Sequence, residues 1–322
     1  MEAPPILANR LRKRFKHFHK WARRQGISCF RIYNHDIPEY PLIADYYEGR
    51  VVVWLSQRTR DVTEAEREAF RQDAVKQILE GLDLEANNLF VKYRRPGGQY
   101  GARSQDVNNQ RSSHEFVVTE NNLKFLVNLS DYHDTGLFLD HRQTRARLAS
   151  EAAGKAVLNL FCYTGSFTVY ASAAGAASTV SVDLSSRYLD WAERNLQLNG
   201  LENLDNTLVE DDVNAWIRDA AGASQRFDLI ICDPPTFSNS KSTAGIFDVE
   251  RDHERLINGC LALLNPGGKL YFSTNKRNFQ LNALSLPPFV LCQEITKSTI
   301  PPDFAANPPH KCYLFEQSAN KA

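Results

Sequence analysis

The sequence has no CxxC pair, no long apolar run, no G-x-G-x-x-G fingerprint and no net charge. Its six cysteines are scattered, at 29, 162, 232, 260, 292 and 312. Neither a zinc finger nor a disulfide framework is therefore expected, and they read as buried, reduced thiols of a cytoplasmic protein. No stretch approaches the ~18 apolar residues of a membrane span, and the start, Met1 to Ile6 followed by a basic run, lacks the apolar core of a signal peptide. No membrane partner is expected. Without the glycine fingerprint a pyrophosphate cradle is poorly supported, which disfavours a nicotinamide enzyme. No internal repeat occurs at solenoid periods. His141 and His253 have no partner at metal-ligand spacing, so no metal is expected. Balanced charge, 38 Lys+Arg against 38 Asp+Glu, argues at first sight against a polyanionic partner.

The remaining composition is that of a folded chain: 322 residues, 43% apolar and 24% charged. The charge is unevenly placed. Between Asn9 and Gln25, eight of seventeen residues are basic and none is acidic: Arg10, Arg12, Lys13, Arg14, Lys16, Lys20, Arg23 and Arg24. The first 31 residues hold nine bases and one acid, a net +8, so the remainder carries −8. Leu11, Phe15, Phe18 and Ala22 recur at helical spacing, and Gly26 suits a helix stop. The segment predicts a basic amphipathic helix. It either grips phosphate, through counterion release along a nucleic acid, or packs as a solvated helix on the domain behind it.

At roughly 150 residues per domain the length predicts two domains. Three divisions are expected: the basic helix over 1–26, a small α+β domain over 27–130 for RNA or substrate recognition, and a catalytic α/β domain over 131–322. In the middle region, β-branched and aromatic runs predict strands at Cys29–Tyr33, Leu42–Tyr47, Arg50–Leu55, Asn88–Tyr93, Glu115–Thr119 and Lys124–Asn128, around a helix over Thr63–Glu80. Between them Arg94 to Ser113 is rich in Gly, Ser, Asn and Arg. It reads as a loop, with Arg94 and Arg95 as candidate RNA contacts or as plain surface. A strand is predicted at Leu137–Leu139, ended by Asp140 and Arg142. Beyond it, strands alternate with helices, which predicts a doubly wound α/β domain with a mostly parallel sheet. Val290–Ile295 and Lys311–Phe315 fit an antiparallel hairpin added at the sheet edge, and Pro266-Gly267-Gly268 reads as a turn.

Open α/β sheets bind ligands beyond the carboxyl ends of their strands. The first such end reads Asn159 to Phe167 (NLFCYTGSF), in which Gly165 permits a close backbone approach. Asp183 ends the next strand and suits a ribose diol. Asp212 follows the third, where an acceptor can meet an adenine amino group. Asp233-Pro234-Pro235 ends the fourth, with two prolines stiffening the turn. This set, in this order, resembles a class I (Rossmann-like) S-adenosylmethionine methyltransferase. That resemblance implies S-adenosylmethionine as cofactor and S-adenosylhomocysteine as product.

Longer matches are more specific. They comprise Thr135–Arg142 (TGLFLDHR), Asn159–Phe161 with Tyr163–Ser166, Val182-Asp183, Trp191–Leu196, Phe227–Ile230, Asp233–Lys241 (DPPTFSNSK), Phe247–Val249 with Arg251–His253, Asn275–Arg277, and the opening Asn9–Lys13. On these the chain resembles the RlmK family, the guanine-N7 methyltransferase half of the bifunctional 23S rRNA methyltransferases RlmKL. The resemblance implies cofactor contacts from Phe138, Asp140 and Arg142, from Asn159, Phe161, Tyr163, Thr164, Gly165, Ser166 and Phe167, and from Asp183, Leu184, Asp212, Val213 and Asp233. For Asp140 and Arg142 a structural salt bridge is the competing expectation. It further implies 23S rRNA or a pre-50S particle as partner. The guanine-N2 methyltransferase half of the bifunctional proteins is not in this sequence, and whether it acts in cis or in trans is left open.

The residues can be weighed against that chemistry. Guanine N7 carries a free lone pair, so its methylation needs no general base, only in-line positioning. A 5-methylcytosine enzyme needs a cysteine nucleophile, and Ser273–Arg277 supplies none. The expected acceptor site is Asp233, the backbone carbonyls of Pro234 and Pro235, and Phe237 as a stacking platform. Asn239, Lys241, Lys276 and Arg277 could hold guanine O6 or phosphate, or lie solvated. The alternatives are an rRNA enzyme of another base specificity (5-methylcytosine or guanine-N2) and a non-catalytic RNA-binding assembly module.

Overall fold

A computed structural model describes residues 5–56, 58, 63–94, 115–202, 204–238, 246–282 and 286–317. The chain divides into two units, Met1–Leu139 and Asp140–Ala322. Among the described residues no helix is long and apolar enough to cross a membrane.

The first unit opens with helix α1 (Ile6–Arg24). Leu7, Leu11, Phe18 and Ala22 line its buried face, and each buried Leu or Phe contributes about 1.5–3 kcal/mol. Its N-cap residue, Pro5, offers no side-chain acceptor. Gln77 does so instead, its Oε1 accepting from the amides of Leu7 (3.0 Å) and Ala8 (3.3 Å); these are two of the donors a helix start leaves unpaired. Gln77 lies on α2 (Glu64–Leu82), which begins with a capping box between Thr63 and Glu66. At Gly81 of α2 a Cβ would stand 2.8 Å from the Ala8 backbone, so the absence of a side chain sets how closely the two helices pack. Strands β1 (Cys29–Asn34), β2 (Leu42–Tyr47), β3 (Arg50–Ser56) and β4 (Leu89–Arg94) form one sheet in that order. The β3–β4 pair is parallel, with α2 as the crossover. β5 (Glu115–Glu120) and β6 (Leu123–Asn128) make a separate antiparallel ribbon.

The second unit begins, after a 3-10 turn at Leu139–His141, with α3 (Arg142–Ala152). The strand expected at Leu137–Leu139 is absent, and this helix stands where none was expected. Its buried face carries Arg142, Thr144 and Arg145 beside Leu148 and Ala152, so the apolar stripe that reveals a helix in sequence is missing. There follow β7 (Ala156–Leu160), α4 (Ser166–Ala173), β8 (Ser178–Asp183), α5 (Ser186–Leu198), β9 (Asn206–Glu210), α6 (Val213–Gly222) and β10 (Phe227–Cys232). A two-residue ribbon, β11 (Phe237–Ser238) with β12 (Phe247–Asp248), precedes α7 (Val249–Ala262), and then come β13 (Leu264–Thr274), β14 (Val290–Glu294), α8 (Thr296–Thr299) and β15 (Lys311–Gln317).

Seven of these strands form one sheet in the order β14-β15-β13-β10-β7-β8-β9. β7, β8, β9, β10 and β13 run parallel, and β15 and β14 add antiparallel at the edge. The Pro-Gly-Gly expected as a turn lies inside β13, where pairing to β10 jumps from Phe227↔Leu264 to Leu229↔Lys269; it is a bulge, which the missing side chain of Gly267 at φ +77° permits. Five of the six cysteines are buried thiols as expected, whereas Cys292 is exposed on the edge strand β14.

Candidate active site

The parallel strands bring the ends of β7, β8, β9 and β10 side by side. The turn after β7 is tight. Phe161, Tyr163 and Gly165 all have positive φ (57°, 51° and 72°), and two of them are not glycine, the kind of strain that concentrates at functional sites. A Cβ on Gly165 would lie 2.7 Å from that of Ala192 on α5, so the turn sits directly on that helix. Asn195 reinforces it, donating to the Thr164 carbonyl at 2.9 Å.

Asp183 ties the next strand to this turn. Its Oδ2 accepts from the Tyr163 amide (2.9 Å) and its Oδ1 from the Ser185 amide (3.0 Å). Burial pushes its carboxyl upward from the ordinary range, against those amides and that of Leu184, which pull it down. Asp212 caps α6, accepting from the Ala215 amide at 2.9 Å, and Val213 is buried in the first turn of that helix. Asn159 is buried and donates to Thr168 Oγ1 at 2.9 Å, which in turn meets Ser181 Oγ at 2.6 Å. Tyr163 meets Tyr188 edge to face at 4.6 Å between ring centres, and Phe161 lies 6.0 Å from Phe247.

This donor set fits S-adenosylmethionine. A glycine turn opens a helix N-terminus at Ser166, and acids end the neighbouring strands at Asp183 and Asp212. Carboxylates of that kind accept from ribose hydroxyls and amino groups.

At the end of β10, Ser273 donates to Asp233 Oδ1 at 2.6 Å, and His141 Nε2 lies 3.4 Å from Asp233 Oδ2. Pro234 is buried and Pro235 exposed. Phe237 is 55% exposed, on the β11–β12 ribbon. Thr236 donates to Asn275, which joins this ribbon to the segment after β13. Lys276 pairs with Glu250 at 2.8 Å, and that carboxylate raises its ammonium pKa, while Arg277 is exposed. Cys232 is fully buried and burial pushes its thiol far up, so it offers no thiolate here.

The remaining sequence candidates fall in three places. Asp140 accepts from His310 Nδ1 at 2.7 Å, and the Arg142 guanidinium is engaged with Asp303 at 2.9 Å. Arg145, on the buried face of α3, reaches Ser166 at 3.5 Å and lies 5.9 Å from the Phe167 ring. Phe138, 42% exposed, belongs to the first unit. On α1, Arg12, Lys13, Lys16, Lys20, Arg23 and Arg24 are exposed, whereas Arg10 and Arg14 face Asp36 at 2.7 and 3.5 Å. Arg95, Asn239 and Lys241 lie outside the described residues, as does most of the Arg94–Ser113 loop; Arg94 closes β4, but its side chain is not described.

Sequence reasoning missed Ser273, His310 and Asn275 as neighbours of these groups. His310 is 170 residues from Asp140, and no motif or period spans that distance. Only the antiparallel return of β15 brings it back.

The strand order, the glycine turn and the acids at the strand ends define a class I S-adenosylmethionine-dependent methyltransferase. The model of the S-adenosylmethionine-dependent methyltransferase family matches residues 42–299. Ribosomal RNA large subunit methyltransferase K of Neisseria meningitidis is 44% identical over 308 residues, 95% of this chain and 85% of that protein. Ribosomal RNA large subunit methyltransferase K/L of Pseudomonas putida is 47% identical over 307 residues, 95% of this chain but 41% of its own length. The chain therefore spans less than half of that longer relative. Among solved structures, a Streptococcus mutans S-adenosylmethionine-dependent methyltransferase superposes with a TM-score of 0.79 at 25% identity, covering 98% of this chain and 82% of its own. A methyltransferase solved in complex with S-adenosylhomocysteine gives 0.79 at 26% identity, with the same coverage. The chain belongs to the family of ribosomal RNA large subunit methyltransferase K, within the S-adenosylmethionine-dependent methyltransferases.

Proposed function

We propose that this protein methylates N7 of a guanine in 23S rRNA, using S-adenosylmethionine, in the cytoplasm. The observation that carries the choice of atom is the corner after β10. It holds an exposed aromatic, Phe237, and a clamped carboxylate, Asp233, while Cys232, the cysteine next to it, is a buried thiol. A covalent C5 reaction has no nucleophile there. N7 attack needs none, because the lone pair is already free.

When bound, S-adenosylmethionine supplies an electrophilic methyl on a sulfonium. N7 forms the new N–C bond, the C–S electron pair stays with sulfur, and positive charge passes to the base. No proton leaves, so the reaction asks nothing of Asp233 as a base. N7 lies on the major-groove edge, hidden in A-form RNA, so the base must leave its stack. Phe237 then supplies the face on which it stacks, a contact worth about 1–3 kcal/mol. Asp233 faces the developing cation. Lys276, Arg277 and the exposed bases of α1 hold phosphate. The K/L relatives extend well beyond the matched region, and we read that remaining length as the guanine-N2 partner half.

The deciding experiment treats unmodified 23S rRNA with the protein and labelled cofactor, then cleaves with borohydride and aniline, which breaks the strand at N7-methylguanine. Label incorporation with no cleavage would refute N7 in favour of the exocyclic amine or a pyrimidine carbon. No incorporation at all, with cofactor binding intact by calorimetry, would favour the assembly-module reading.

A further inference from the structure

His141 stands beside Asp233 in the second unit. His141 is buried, its Nδ1 has no hydrogen-bond partner among the described residues, and its Nε2 faces two carboxylate oxygens, Asp233 Oδ2 at 3.4 Å and Asp140 Oδ2 at 3.8 Å. Its ring stacks on that of His310, 4.2 Å between centres and 11° from parallel. Its other aromatic neighbour is Phe167, edge-on at 5.8 Å. His253, a buried histidine on α7, is different: Nδ1 meets the Val249 and Glu250 carbonyls and Nε2 accepts from the Asn282 amide. That one is a satisfied core residue.

Asp140, His141 and His310 place ligand atoms within 4.8 Å of one another, but stacked parallel rings aim their lone pairs side by side. They do not converge on one point ~2.0–2.1 Å from each nitrogen, as a metal demands. The tautomer is more informative. A proton on Nδ1 would be a buried donor with no acceptor, whereas a proton on Nε2 points at the carboxylates.

We propose that His141 is a positioning residue for Asp233: a neutral imidazole whose Nε2–H fixes the carboxylate without cancelling its charge. The proposal rests on the placement of Asp233 beside the acceptor base. Ser273 donates to one carboxylate oxygen and His141 Nε2 stands 3.4 Å from the other, so each oxygen of Asp233 has a neighbour that limits its rotation. The long 3.4 Å separation is of the kind that shortens when substrate binds. Neutrality matters because the product base is cationic. An imidazolium beside Asp233 would neutralise the carboxylate that meets that charge.

The surroundings keep the ring neutral. Burial lowers the His141 pKa first, and His310 and Arg145 lower it further, against Asp233 and Asp140, which raise it. A folded pKa below the ordinary value makes the neutral form the resting state at neutral pH, lost as the pH falls through the lowered value. Activity should therefore show an acid limb that belongs to His141.

The test compares His141→Phe, His141→Gln and Asp233→Asn with wild type, using transcribed 23S rRNA and labelled S-adenosylmethionine. His141→Phe is expected to lower kcat by ~10–100-fold, with KM for rRNA and cofactor Kd within about twofold. His141→Gln keeps a donor near the Nε2 position; it should recover to within about fivefold of wild type and lose the acid limb, since Gln does not titrate. In the resting protein, 15N-histidine NMR should find His141 as the neutral Nε2–H tautomer, with its resonance displaced in Asp233→Asn. Wild-type kcat in His141→Phe beside an inactive Asp233→Asn would overturn the proposal while leaving the site intact. Full activity in Asp233→Asn would remove Asp233 from the site and the proposal with it. If wild type fails to methylate 23S rRNA, the substrate reading fails separately and the NMR alone decides. An Nδ1–H or cationic His141, or one blind to Asp233→Asn, overturns the link whatever the substrate.

Discussion

Helices α1 and α3 are both rich in arginine, and they turn that charge in opposite directions. In α1 an apolar stripe of Leu7, Leu11, Phe18 and Ala22 faces inward, and six of its eight bases stand exposed on the other side. In α3 two of the three arginines lie on the inner face. Arg142 and Arg145 are 1% and 0% exposed, and Arg142 meets Asp303, itself 2% exposed, at 2.9 Å. The first arrangement leaves cations in water, where a polyanion can collect them by releasing counterions. The second spends a desolvation cost to join two segments 161 residues apart. A count of cations in sequence cannot tell these apart; the face they occupy decides between partner and scaffold.

The largest effect should come from breaking the inward case. Arg142→Ala removes the guanidinium from a carboxylate that has no access to solvent, and should cost about 3–5 kcal/mol. Thermal unfolding should show a large fall in Tm. Replacing both partners together, Arg142→Met with Asp303→Leu, should recover most of it, because apolar side chains of similar volume carry no desolvation penalty. If the double replacement were as damaging as the single one, Arg142 would be holding something besides Asp303.

The same contrast explains what could be read from sequence. The stripe of α1, the strand series of the catalytic unit, the edge hairpin and the acids Asp183, Asp212 and Asp233 were legible, because each follows from a local period or a strand end. Helix α3 was not: with arginine on its buried face it shows no apolar period, and the preceding Leu137–Leu139 read as a strand instead. The clamp on Asp233 was half legible. Asp233 opens a motif, but Ser273 and His141 reach it from β13 and from the 3-10 turn before α3. Sheet order sets that pairing, and sequence spacing carries no trace of it. Asn159 matched a motif at the turn, yet its amide serves a buried bridge to Thr168.

The outward case is tested next. Changing Arg12, Lys13 and Lys16 together to Gln should weaken rRNA binding and lower the slope of log affinity against log salt by about 2, from roughly 0.7 per phosphate on single strands. Stability should stay within about 0.5 kcal/mol of wild type. An unchanged slope would make α1 a packing helix and collapse the contrast with α3.

Between the two extremes lies the half-buried Glu151, still on α3. It accepts from Lys269 and from the Tyr271 hydroxyl, both at 2.7 Å. Burial acts to raise its pKa, but these partners win and hold it below the ordinary carboxylate value. A depressed carboxylate contributes stability above its unfolded pKa and loses it as pH falls through the folded one. Glu151→Gln should therefore cost roughly 1 kcal/mol or less at pH 7, discounted for exposure. The difference from wild type should shrink on acidification below about pH 4.5. Urea unfolding across pH measures it, and a gap that persisted into strong acid would mean packing, not charge, at Glu151.

The smallest effect should come from Arg10, which has a foot on each side of the comparison. It sits on the basic helix, yet its guanidinium pairs with Asp36 at 2.7 Å while 41% of the side chain remains exposed. An ion pair of that exposure is worth about 0–1 kcal/mol, and a double-mutant cycle of Arg10→Gln with Asp36→Asn isolates it. The informative readout is again the salt slope. A guanidinium already neutralised by Asp36 releases few counterions on meeting phosphate, so Arg10→Gln should flatten the slope less than Lys13→Gln does. If the two flatten it equally, Arg10 leaves Asp36 for the RNA, and the helix presents more of its charge to the partner than its resting contacts show.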